Sequence, residues 1–99
     1  MSDTQIGKYV IVRAHLSGCH AGILESKDGA EAVLTDARRL WYWAGAASLS
    51  QLAATGTSKP NNCKFPVAVP KITVRDCIEI ISTTEIAEKS IREAPVWRE

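Results

Sequence analysis

The segment that decides the fold is Ala37-Arg38-Arg39-Leu40-Trp41-Tyr42-Trp43-Ala44-Gly45-Ala46-Ala47-Ser48-Leu49-Ser50-Gln51-Leu52. It holds two of the three tryptophans, one of the two tyrosines and the adjacent arginine pair. We interpret it as a β-strand that turns at Gly45 into a short helix. Strand alternation would place Arg39 on one face with both tryptophans, and Arg38 on the other face unless a bulge intervenes. The residues sharing the Arg39 face would be Trp41 and Trp43.

Outside this segment, composition restricts the class of protein. The chain has 99 residues, of which 45% are hydrophobic and 23% charged, which is typical of one globular domain. We expect the first seven residues to be flexible. A net charge of +1 gives little attraction for duplex DNA, and the apolar runs are too short for a membrane span. The odd number of cysteines favours a reducing cytosol over a disulfide framework.

Four short apolar segments separated by turn residues predict an antiparallel meander. Asp28-Gly29 would make one hairpin turn and Asp36-Ala37 another. The expected strands are Lys8–Leu16, His20–Ser26, Ala30–Thr35 and Arg38–Trp43.

Two helices follow from capping patterns. Ser48 would cap Leu49–Thr55, with Gln51 as its capping-box partner and Gly56 as the stop. A second helix is expected from about Thr83 to Glu93, burying Ile86, Ser90 or Ala87, and Ile91. Between the helices, Lys64–Pro70 predicts an edge or crossing segment, and Cys77–Ile81 a strand buried on both faces. The expected fold is α+β, with four to six antiparallel strands in a meander or barrel-like sheet and two short helices.

Catalytic and metal-binding patterns are not evident in the sequence. His15, Cys19 and His20 lack the paired spacing of zinc ligands, and no phosphate-binding glycine loop is present. We therefore predict neither an enzyme nor a metal or cofactor. Indoles and guanidiniums near a helix start would instead suit a phosphorylated, base-containing ligand. The candidate ligand-binding residues are Arg38, Arg39, Trp41, Trp43, Ser48, Ser50 and Gln51.

A purely structural interpretation of these residues stays open. The tryptophans could simply fill a small core, and Ser48 could serve only as a helix cap. If there is a site, alternation favours Arg39 with one of the two tryptophans, the other indole being part of the core. Arg38 would join the site if it spans a subunit boundary.

The run from Arg39 to Ala53 resembles a family of small uncharacterised proteins encoded by tailed bacteriophages and prophages. The segments Cys63-Lys64-Phe65, Ile78–Glu85 and Val96-Trp97 are similar to the same family. Small phage proteins of this size include oligomers that sequester nucleotide immune signals of the host, a resemblance of context and not of motif.

Two functional hypotheses follow. In the first, a non-enzymatic phage protein in the bacterial cytoplasm sequesters a nucleotide-derived host signal, such as a cyclic oligonucleotide or an ADP-ribose derivative. In the second, the tryptophan-rich face is a protein-binding or virion-associated interface. The expected partners are a small nucleotide-type ligand and further copies of the chain, as a homo-oligomer.

Overall fold

Five β-strands and two α-helices form the regular structure in the computed structural model, which describes residues 5–16 and 18–97. The strands are β1 (Tyr9–Ala14), β2 (Cys19–Asp28), β3 (Glu31–Arg39), β4 (Val69–Val74) and β5 (Cys77–Ser82). The helices are α1 (Leu49–Thr55) and α2 (Glu85–Glu93), and a 3-10 turn spans Pro60–Asn62. The α+β fold expected from the sequence is confirmed.

The strands form one antiparallel sheet in the order β4-β3-β2-β1-β5. Its two edge strands are joined by only two residues, Arg75 and Asp76. Five strands laid flat would span about 19 Å, whereas such a link reaches only about 11 Å. The sheet must therefore curl until its edges approach at this corner. There the Cys77 amide donates to the Ala30 carbonyl at 3.0 Å, but the sheet is open and does not close as a barrel.

The third predicted strand and the first two residues of the fourth, Arg38 and Arg39, form one strand, β3, and the predicted continuation to Trp43 is wrong. The Asp36-Ala37 pair is a bulge and not a turn, since Ala21 lies opposite Arg38 and Ile23 opposite Thr35. Asp36 has a φ of +50°, a conformation that aspartate tolerates better than most residues. The same local signal can mark a turn or a bulge, and the pairing with β2 decides between them.

Two apolar clusters form on opposite faces of the curled sheet, and β1 contributes to both. Each cluster combines alternate residues of several strands, as expected for a sheet covered on both faces. The inner core consists of Val10, Val12, Ala14, Leu24, Ala32, Leu34, Ala37 and Val74. The helix-side core consists of Tyr9, Ile11, Ala21, Leu40, Leu52, Ala53, Cys63, Phe65, Ile91 and Ala94.

The helix caps follow the sequence closely. The Ser48 hydroxyl accepts the Gln51 amide at 3.1 Å, and Gly56 ends α1 with a φ of +76°. The Gln51 side chain departs from a capping box, because its Oε1 accepts the Ala47 amide at 2.8 Å. Thr84 caps α2 through the Ala87 amide at 3.0 Å and donates its hydroxyl to the Ala54 carbonyl at 2.7 Å. The cap of one helix thereby joins it to the end of the other.

Two further expectations need correction. Ile86 is 69% exposed and not buried, whereas the expected burial of Ile91, and of Ala87 as one of two alternatives, is confirmed. Strand β5 is an edge strand with Ile78 exposed, and not a strand buried on both faces.

The expected flexible N-terminus can be addressed only from Gln5 onward, because residues 1–4 lie outside the described residues. Gln5–Gly7 form a turn, and the Gly7 amide donates to the Leu24 carbonyl at 2.8 Å. Within the described part of the chain, no helix has the length and apolar character needed to cross a membrane.

Candidate functional site: an aromatic platform around Lys64

The chain leaves the sheet after Arg39 and runs beside two distant segments. The Trp41 amide donates to the Lys64 carbonyl at 3.2 Å, and the Lys64 amide donates to the Tyr42 carbonyl at 2.7 Å. Beyond Lys64, the Trp97 amide donates to the Phe65 carbonyl at 3.0 Å. These bonds bring four side chains to one surface. We call Trp41, Tyr42, Trp97 and Lys64 the aromatic platform.

The platform places one ammonium group against three aromatic rings. The Lys64 Nζ lies 5.5 Å from the centroid of Trp41, 5.5 Å from that of Trp97 and 5.8 Å from that of Tyr42. The two indoles are 4.8 Å apart at an interplanar angle of 53°. Each such cation–π contact contributes about 0.5–1 kcal/mol at an exposed site, so the rings hold the lysine without enclosing it.

Two platform rings face solvent. Trp41 is 60% exposed and Tyr42 51% exposed, while Trp97 is half-buried. Large aromatic side chains are usually covered, so adjacent exposed rings mark a surface available for binding. The rings offer flat apolar faces, and the lysine offers a positive charge. This combination suits a ligand with a planar ring system and an anionic group.

Arg38 fixes the segments that carry the platform and does not lie on its surface. It is only 4% exposed, and its guanidinium donates to the carbonyls of Pro66, Ile91, Phe65 and Pro95 at 2.7–2.9 Å. The guanidinium also lies 5.5 Å from the centroid of the Phe65 ring. Burial lowers the pKa of Arg38. The planar group links β3 to the Phe65-Pro66 segment, the end of α2 and the chain beyond it.

Arg39 and Trp43 have different surroundings. Arg39 is exposed and borders a shallow, mostly apolar groove of about 300 Å³ together with Pro66, Val67 and Ile72. Trp43 is half-buried and packs against the helix-side core. Because β3 ends at Arg39, strand alternation does not extend to the tryptophans. Of the two indoles, Trp41 is therefore the surface residue and Trp43 the core residue.

The three polar candidates lie at the start of α1. Ser48 and Gln51 use their side-chain oxygens to accept backbone amides, while Ser50 is exposed. The structural interpretation of Ser48 as a cap is confirmed. Among the described residues, no hydrogen bond or ring contact joins these three side chains to the aromatic platform.

A second polar cluster lies between β1, β3 and α2. The Arg92 guanidinium pairs with the Asp36 carboxylate and with Glu88 at 2.9 Å, and lies 4.5 Å from the centroid of the Tyr9 ring. Burial raises the pKa of Tyr9 to about 12, although the charge of Arg92 acts in the opposite direction. A cavity of about 140 Å³ is lined both by residues of this cluster and by Arg38. The guanidinium is held by two carboxylates and a ring, so we regard this as a structural cluster.

Metal-binding geometry does not occur in the described residues. No group of three or more His, Cys, Asp or Glu side chains there could hold a metal ion. All three cysteines are free thiols, and burial raises the pKa of Cys19. Cys63 is buried, with its Sγ 3.5 Å from the Lys59 carbonyl.

Sequence reasoning missed Tyr42, Lys64 and Trp97 as members of the candidate site. Alternation placed Tyr42 on the face opposite Trp41, which would hold only in a continuing strand. Trp97 is held in place by the bond from its amide to the Phe65 carbonyl. No local spacing could show that it would dock beside Trp41.

The comparisons with known proteins identify a family without a known activity. No curated protein and no solved structure matches the chain. A family model described as a domain of unknown function, DUF6948, matches residues 7–91. This match includes Trp41, Tyr42 and Lys64 of the platform. The chain belongs to the DUF6948 family of proteins.

Proposed function

We propose that the protein is a non-enzymatic binding protein that holds a nucleotide-derived ligand on the aromatic platform. The observation that carries this proposal is the position of the Lys64 ammonium, within 5.8 Å of three ring centroids, two of them belonging to exposed residues. Any nucleobase can stack on an indole, because every base has a flat π-face. Such stacking contributes about 1–3 kcal/mol per base. The lysine is the complementary group for a phosphate.

The proposed role is sequestration of a nucleotide-derived host signal in the bacterial cytoplasm. It combines the platform chemistry with the phage-family resemblance in the Arg39–Ala53 run. A sequestering protein needs high affinity and many copies, and it needs no catalytic group. The aromatic rings and the lysine of the platform can supply such affinity. Cyclic oligonucleotides and ADP-ribose derivatives are the ligand classes in question, because each combines bases with phosphates.

A binding screen with a site variant tests this proposal. The parent chain is screened by thermal shift against cyclic dinucleotides, cyclic trinucleotides and ADP-ribose, and each hit is titrated calorimetrically. At a ligand concentration of 100 Kd, the expected stabilisation is roughly 2.7 kcal/mol. Trp41→Ala should weaken binding about tenfold or more, equivalent to about 1.4 kcal/mol.

Ile86→Ala is the matched control, since Ile86 is another exposed apolar side chain but lies on α2. It should bind as the parent does. Equal binding by the Trp41→Ala variant and the parent would place the ligand elsewhere on the protein and contradict the platform proposal.

A protein interface is the second candidate function, and the same exposed rings favour it. Tryptophan and tyrosine dominate the energetic centres of protein interfaces, and Val96, which is 39% exposed, precedes Trp97 in the platform. If the parent binds none of the nucleotides in the screen, the first function is rejected and the protein interface remains.

A further inference from the structure

We propose that Lys64 makes ligand binding conditional on a phosphate group, and this inference rests on the proposed function. In the free protein the Lys64 ammonium lies against the same rings on which a base would stack. The side chain therefore occupies the stacking surface until a ligand draws it away. Lys64 thus determines specificity and does not merely add affinity.

The backbone of Lys64 is fixed, but its side chain is free to turn. Its amide and carbonyl are both bonded to the Trp41-Tyr42 segment, at 2.7 and 3.2 Å. The ammonium is carried on a flexible four-carbon stem, and the residue is exposed. A base can therefore displace the ammonium from the rings without disturbing the three segments that form the platform.

Displacement costs the lysine its ring contacts, so a replacement partner is needed. Among the described residues, the ion pairs formed by carboxylates involve Arg13, Lys71 and Arg92 and not Lys64. Arg38 is bonded to four carbonyls and cannot take over its role. A phosphate on the incoming ligand would pair with the displaced ammonium, whereas a nucleoside offers no anion. The platform should thus discriminate against uncharged ligands.

The experiment compares AMP with adenosine, two probes that differ only in the phosphate. Their Kd values are measured by tryptophan fluorescence titration at low salt for the parent, Lys64→Gln and Lys89→Gln. Lys89 is an exposed lysine on α2, so its variant carries the same change in net charge.

For the parent, AMP should bind at least about tenfold more tightly than adenosine, equivalent to about 1.4 kcal/mol. The same preference should persist in Lys89→Gln. In Lys64→Gln the two affinities should fall within about threefold of each other, with adenosine bound more tightly than by the parent. This gain for adenosine is specific to displacement, because a lysine that only attracts phosphate would leave adenosine binding unchanged.

Two results would overturn the inference and are distinguishable from each other. If the parent binds both probes but Lys64→Gln retains the preference for AMP, only the role of Lys64 is refuted. If the parent binds neither probe nor any compound of the wider nucleotide screen, the proposed function fails and the inference fails with it.

Discussion

Arg38 determines whether the segments that carry the platform stay together. Replacing it by Ala would remove the guanidinium from four carbonyls, two of them in buried hydrogen bonds, and open a cavity, at a cost of about 3 kcal/mol or more in the free energy of unfolding. Arg38→Lys should recover only part of this, because an ammonium cannot reproduce the planar fork. Urea unfolding of both variants measures the effect.

Arg39→Ala is the control for this prediction, since Arg39 is the exposed neighbour of Arg38. Its free energy of unfolding should stay within about 0.5 kcal/mol of the parent value. Equal losses from the two alanine variants would show that the carbonyl contacts of Arg38 contribute little.

Tyr9 makes the free energy of unfolding depend on pH in the alkaline range. Its pKa is raised from 10.0 to about 12, mainly by burial. Between these values the unfolded chain loses the phenol proton and the folded protein keeps it, so the free energy of unfolding falls as pH rises. The total loss is at most about 2–3 kcal/mol. In Tyr42→Phe, where Tyr9 is the remaining tyrosine, the ultraviolet absorbance of tyrosinate should emerge only near pH 12.

Tyr9→Phe should abolish this component of the pH dependence. A stability profile unchanged by Tyr9→Phe between pH 10 and 12 would contradict the burial effect.

At the residue scale, alternation along β3 correctly separated Arg38 from Arg39. It could not tell which side would be covered, because Phe65, Pro66 and the end of α2 arrive from distant parts of the chain.

At the scale of elements, the bulge between β2 and β3 depends on Gly22. A Cβ at this position would lie 2.9 Å from the Thr35 carbonyl oxygen and 3.0 Å from the Ala37 Cα. These are backbone atoms, which cannot rotate away. Gly22→Ala should therefore lower the free energy of unfolding by about 2–3 kcal/mol, as measured by urea unfolding.

Gly29→Ala provides the comparison in the hairpin turn of the same two strands. Gly29 has a φ of +59°, but nothing lies within 4 Å of an added Cβ. The cost there is limited to the backbone conformation, about 1 kcal/mol. If Gly29→Ala proved the more damaging of the two, the close approach at the bulge would not be the dominant constraint.

Helix ends were predictable from the sequence because capping is local. Ser48 and Gly56 each act within a few residues of their own position, whereas the second helix, expected from about Thr83, begins at Glu85 with Thr84 as its cap. The division of β3 into two strands was wrong for the complementary reason. Asp36-Ala37 is compatible with either a turn or a bulge, and only the partner strand selects the bulge.

At the scale of the whole molecule, the two edge strands of the sheet differ in how well they are protected against pairing with a strand of another molecule. Strand β4 carries Pro70 and Lys71, which discourage addition of another strand, whereas β5 has neither residue and exposes Ile78 at 53%. With a net charge of only +1 there is little repulsion between copies. We predict a homo-oligomer paired through β5, with a mass by light scattering of at least twice 10.8 kDa.

Ile78→Lys should shift this mass to that of the monomer, while Ile86→Lys on α2 should not. A parent mass of 10.8 kDa at micromolar concentration would contradict the prediction.

The aromatic platform illustrates the limit of sequence reasoning at this scale. Trp41 was identified as a ligand-binding candidate from its neighbours, but its partners Lys64 and Trp97 come from other parts of the chain. They meet only because the curled sheet and the Arg38 contacts bring three segments side by side. Residue type could suggest the chemistry, and only the tertiary structure could assemble the surface.

The most direct test of the platform uses the three indole N–H signals of the protein, one per tryptophan. In a nitrogen–proton NMR spectrum, each signal is assigned by single replacement and followed during titration with AMP and with the tightest ligand of the nucleotide screen. The signals of Trp41 and Trp97 should move together with ligand concentration, whereas that of Trp43, packed against the helix-side core, should stay in place. Movement of the Trp43 signal alone, or of none of the three at saturating ligand, would contradict a nucleotide site on the platform.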